Sequence, residues 1–213
     1  QVGIISYFST LFRGFSLQQW IVYFNVLFYV LQVLSAVNYV PTLNRYLSRF
    51  GYRPISTSKI IEQNVWCGAP VSLRLPTRRV NSYGPFTTDF YFVSGKMAEL
   101  QPHRYMTAGF LHGSVIHLLL NMQALSRLPP LLENGLGWPI YLATYLTSIV
   151  SGNIAHNVIA NGGSPCLGAS GGICGLNGLL FSTLRKMGRD KESNVVLNNM
   201  FTLVIYGLSR GGL

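Results

Sequence analysis

The placement of the charged side chains constrains this chain more than any other feature. Between Arg13 and Arg45 lie 31 uncharged residues, among them Trp20-Ile21-Val22-Tyr23-Phe24. Between Arg104 and Arg127 lie 22, and between Glu133 and Arg185 lie 51. A last gap of 17 runs from Ser193 to Ser209. A helix needs about 20 mainly apolar residues to cross a bilayer. Only 10% of the chain is charged, against about 25% in an ordinary soluble domain. Gaps of this length are hard to reconcile with a water-facing surface.

The gaps predict an all-α membrane protein, a polytopic helix bundle forming one domain over residues 1–213. Five spans are expected, near 17–40, 105–126, 137–152, 168–184 and 195–209. The long gap holds two of them, because Asn161-Gly162-Gly163-Ser164-Pro165 cannot continue a helix. Residues 41–104 carry Pro41, Pro54, Pro70, Pro76, Pro85 and Pro102 and nine of the sixteen basic residues. They read as a long ordered first loop outside the hydrocarbon, with room for short interfacial helices. Residues 1–12 read as a weakly amphipathic interfacial segment. The run Arg185-Lys186-Met187-Gly188-Arg189-Asp190-Lys191-Glu192 packs four cations into a short connection and favours the cytoplasmic or matrix-like side.

The net charge is +10, from sixteen Lys and Arg against six Asp and Glu. In so apolar a chain this excess suits lipid headgroups and loop sorting rather than nucleic acid. The shortage of acids suits an organellar membrane, mitochondrial inner or plastid. Cys67, Cys166 and Cys174 are odd in number and widely spaced, which argues against a disulfide framework or a zinc site. No H-E-x-x-H, no paired aspartates within spans and no phosphate-binding loop appear, so no metal and no cofactor is expected.

Polar side chains inside a membrane are costly and mark function. His117 and Asn121 are four residues apart and share one helical face, with His112 one turn toward the loop and offset around the helix. Gly168-Ala169-Ser170-Gly171-Gly172 places a serine at a helix start, beside unbonded backbone N–H groups able to hold an oxyanion. Gly171, Gly175 and Gly178 make a small-residue face on which a neighbouring helix packs. His156 reads as a solvated or interfacial loop histidine.

This ordered set resembles the rhomboid family of intramembrane serine proteases: Arg104 before span two, His112, His117-x-x-x-Asn121, a short third span, then Gly168-x-Ser170-Gly171. The likeness is close over residues 100–185 and topological elsewhere. It implies Ser170 as nucleophile, His117 and Asn121 as oxyanion donors, Gly168 as part of the serine motif and His112 as a supporting residue. The substrates implied are single-span membrane proteins. In rhomboids the general base is a histidine on a sixth helix, and no Ala-His-x-x-Gly segment lies within these 213 residues. Two expectations follow. Either the protein continues into a sixth helix and is a protease, or it is an inactive rhomboid-like subunit of a larger organellar membrane complex. In both, the partners are membrane lipid and a foreign helix, from substrate or subunit, packing on Gly171, Gly175 and Gly178.

Overall fold

The structure, a computed structural model, describes residues 15–67, 72–74, 79–81, 84–95, 99–128, 130–159 and 165–209. The segment 1–12 and the turn at 161–164 lie outside them. The chain is mostly helical. Helix α1 (Leu17–Ser48) leads into a loop region holding α2 (Thr57–Ile61), a π-helical turn (Glu62–Cys67), the hairpin strands β1 (Ser72–Arg74) and β2 (Arg79–Asn81), α3 (Pro85–Phe90) and β3 (Phe92–Val93). Then come α4 (Arg104–Thr107), a 3-10 turn (Ala108–Phe110), α5 (Val115–Ser126), α6 (Leu131–Leu136), α7 (Trp138–Ile159), β4 (Pro165–Cys166), α8 (Ser170–Lys186) and α9 (Asp190–Ser209).

Helix α1 starts with a capping box, in which Ser16 and Gln19 exchange side-chain and backbone hydrogen bonds. The Glu133 carboxylate accepts from the Leu17 N–H at 2.6 Å and the Gln18 N–H at 3.2 Å. This satisfies orphan donors at the positive end of the helix. Gln18 donates to the carbonyls of Leu125 and Leu128, so α1 begins where α5 ends and the two run antiparallel. The helix was expected to stop near residue 40. It passes through Pro41 and continues to Ser48, because Leu43 and Leu47 are buried there among Tyr39, Tyr46 and Ile55.

The second expected span, 105–126, is not one helix. The backbone leaves helical geometry at Leu111 and re-enters at Val115, where Ser114 is extended and caps α5 by accepting from the His117 N–H at 3.2 Å. The 12 residues of α5 rise about 18 Å, well short of the roughly 30 Å of bilayer hydrocarbon. Among the described residues α1 alone is both long and apolar enough to cross a membrane by length and composition.

Helix α7 was expected to end at Gly152 and instead runs to Ile159. Gly152 is a contact point, not a terminator: a Cβ there would lie 3.6 Å from the Gly171 Cα. The crossing of α7 and α8 is built from small residues. A Cβ on Gly175 would collide with Ser148 Oγ, and one on Gly171 would meet the Ser148 carbonyl oxygen at 3.2 Å. The face expected to receive a foreign helix is therefore filled at these two positions by the chain's own α7. Gly178 alone of the three has nothing within 4 Å.

The main core joins Ile21 and Tyr29 of α1, Leu118, Met122 and Leu125 of α5, Tyr141, Tyr145 and Ile149 of α7, and Ile173, Leu176 and Leu180 of α8. Polar side chains are buried alongside it, including Asn25, Gln32, Arg104, His112, Asn121, Asn153 and His156. Large apolar ones face outward: Tyr23, Leu27, Val30 and Leu34 on α1, Leu119 and Leu120 on α5, Ile154 and Val158 on α7. A surface this apolar around a partly polar interior suits a lipid surround better than water.

Candidate active site

His117 and Asn121 project from the first turns of α5, whose start is set by the Ser114 cap. Asn121 is buried and its Nδ2 has no hydrogen-bond partner among the described residues. His117 is half-buried, and its Nδ1 accepts from the Gly113 N–H at 3.5 Å. A neutral ring that accepts at Nδ1 carries its proton on Nε2. The Nε2 edge faces Gly168: a Cβ at that glycine would lie 2.8 Å from His117 Cε1, 3.0 Å from Nε2 and 3.7 Å from Asn121 Nδ2.

Gly168 has φ +128°, a backbone region that side chains rarely adopt. Its N–H donates to the Ala108 carbonyl at 2.9 Å. The segment before it is held by the two-residue pairing of β3 with β4, Phe92 opposite Cys166 and Val93 opposite Pro165. Two residues on, Ser170 stands exposed as the first residue of α8, after Ala169 at the N-cap. The first N–H groups of α8 are thus available to an acceptor. The structure therefore draws His117, Asn121 and Gly168 together and sets Ser170 two residues from the contact. Among the described residues no imidazole is hydrogen-bonded to Ser170.

His112 does not continue the helix of His117, as the span reading expected. It lies in the irregular segment ahead of α5, 2% exposed, with its ring edge-on to His117 at 5.2 Å between centroids. Neither of its ring nitrogens has a hydrogen-bond partner among the described residues. Arg104, also buried, donates from its guanidinium to the carbonyls of Thr88 at 2.6 Å and Tyr91 at 2.7 Å. It ties the end of α3 to the start of the segment that carries the histidines.

His156 is a correction. The sequence predicts a solvated or interfacial loop residue. It is 4% exposed in the extended α7, with its ring edge-on to Phe92 at 6.1 Å. Its burial follows from the continuation of α7 past Gly152 and from the β3–β4 strap that covers it. Gln32 on α1 was missed. Its side-chain amide bonds both backbone polar groups of His112. An amide at mid-span, one of five in residues 17–40 with Gln18, Gln19, Asn25 and Asn38, was the available signal, by the same rule that picked out His117 and Asn121.

Residues 99–211, slightly more than half of the chain, match the family model of the rhomboid domain. No curated protein and no solved structure matches the chain.

Proposed function

The chain belongs to the rhomboid family, and from that premise we propose that it is a multi-pass intramembrane serine protease cleaving single-span membrane proteins. The observation that carries this reading is the seating of Gly168 against His117 and Asn121, immediately ahead of Ser170. The Ser170 hydroxyl would attack the scissile carbonyl. The developing oxyanion would accept from His117 Nε2–H and Asn121 Nδ2–H, each such donor being worth on the order of 3 kcal/mol. Ser170 needs a base in hydrogen-bond reach, and family resemblance assigns that role to a histidine on a sixth helix. Helices α1, α5, α7, α8 and α9 succeed one another in alternating direction and are read as five membrane-embedded segments, α5 reaching only part way. The basic balance of +10 supports a mitochondrial inner or plastid membrane.

The test is cleavage of a single-span substrate by the full-length protein in proteoliposomes, with fluorophosphonate labelling of Ser170. Ser170→Ala should abolish both while leaving the helical content unchanged. Cleavage that survives this substitution rejects the protease reading.

A second reading is an inactive rhomboid-like membrane subunit. Under it, full-length protein would be silent to the probe and would co-purify in fixed ratio with other membrane proteins in mild detergent. The open space beside Gly178 is where a partner helix would begin to pack.

A further inference from the structure

Leu111–Ser114 forms neither helix nor strand, although His112 within it is buried. Buried irregular backbone is tolerated inside a membrane protein only where its N–H and C=O groups find partners. For His112 the partner is one side chain. Gln32 of α1, 5% exposed, accepts from the His112 N–H through Oε1 at 2.9 Å. It donates through Nε2 to the His112 carbonyl at 3.2 Å, and the same nitrogen lies 3.4 Å from Thr87 Oγ1 of α3. The amide stands in for a neighbouring strand.

The second of these bonds leads directly to the site. The carbonyl of His112 and the N–H of Gly113 belong to one peptide unit, and that N–H donates to His117 Nδ1. Gln32 therefore grips one end of a rigid plane whose other end sets the protonated edge of His117. A donor on the carbonyl also polarises the N–H across the same unit, strengthening its bond to the ring. Among the described residues, Gln32 is the side chain hydrogen-bonded to the His112 carbonyl.

We infer that Gln32 is a positioning residue for the oxyanion pair: through the His112–Gly113 peptide it holds the His117 proton on Nε2, facing Gly168. The importance of that edge for catalysis rests on the protease reading; the coupling of Gln32 to the His117 tautomer does not.

The test uses full-length protein in detergent micelles, labelled with 15N at histidine, comparing wild type with Gln32→Leu and with Gln32→Asn. The second variant keeps an amide but retracts it by one methylene, which guards against a variant that simply misfolds. Nitrogen shifts separate the two neutral tautomers. The wild-type His117 ring should be protonated at Nε2 alone, and each variant should give a mixture, while the buried ring of His156 keeps its wild-type signals. In cleavage assays kcat should fall about tenfold with KM changed by less than about twofold, the pattern of an interaction made in the transition state. His117 signals identical to wild type in both variants would overturn the inference. Wild-type protein that neither cleaves nor labels at Ser170 rejects the protease reading instead, and the tautomer comparison still decides the role of Gln32.

Discussion

Gly168, in the loop ahead of α8, lies against His117 of α5, and the glycine has no room for a side chain. A Cβ at Gly168 would stand 2.8 Å from His117 Cε1, at a backbone φ of +128°. Gly168→Ala should therefore push the imidazole out of place and strain the loop together, costing about 1–3 kcal/mol through the backbone alone. The expected result is loss of nearly all cleavage with helical content close to wild type by circular dichroism. Full activity in this variant would mean that the loop does not set the position of His117.

On the proposed protease reading, His117→Ala and Asn121→Ala should each lower kcat by about 100- to 1000-fold, the usual cost of removing one oxyanion donor. Substrate binding should change little. Because Asn121 Nδ2 has no partner in the described structure, Asn121→Leu should fold at least as stably as wild type while remaining inactive. Thermal unfolding beside a kinetic assay checks both halves.

Glu133 should matter for stability and not for chemistry. Its carboxylate holds the Leu17 and Gln18 N–H groups at the start of α1, on the opposite end of the bundle from Ser170. Glu133→Ala should destabilise by about 1–2 kcal/mol, the range for lost helix caps, seen as a lower unfolding midpoint in detergent. At temperatures where the variant is folded, the reaction of Ser170 with a fluorophosphonate probe should match wild type. Equal midpoints would show that the capping contact contributes nothing.

The α7–α8 crossing gives a compensation experiment. A methyl on Gly175 would coincide with the Ser148 side chain, so Gly175→Ala should cost about 1–3 kcal/mol by overpacking. Ser148→Gly in the same chain should restore most of it. If the double variant is no more stable than Gly175→Ala alone, the helices do not meet at these residues.

Cys166 offers a pH test outside the spans. Burial pushes its thiol pKa up, while a backbone hydrogen bond from Leu167 opposes this. The thiol should stay protonated at neutral pH and alkylate slowly, because the thiolate is the reactive form. Since the folded value lies above the unfolded one, the associated stability is present below the ordinary thiol pKa and is lost as pH rises through the raised one. Peptide mapping after timed iodoacetamide treatment at several pH values reads this directly. Labelling of Cys166 at neutral pH as fast as in the denatured chain would contradict its burial.

The charge gaps alone located the long apolar helix α1 and the shorter apolar α5, because a charged side chain in a lipid-facing stretch is costly at any position and so the gaps survive in the linear order of residues. Residue types and spacing likewise singled out His117, Asn121, Gly168 and Ser170, since chemistry restricts which side chains can serve. What the linear order did not contain is where backbone approaches backbone. Residues Leu111–Ser114 interrupt the expected span because Ser114 caps α5 and Gln32, some eighty residues earlier, supplies the missing partners for His112. Gly152 looks like a helix end, yet it lies inside α7 because Gly171 of α8 presses against it. That extension carries His156 from an expected loop into the interior, beneath Phe92. A glycine as breaker and a glycine as contact point are the same letter in a sequence; only the neighbour that packs against it, brought there by tertiary structure, decides which it is.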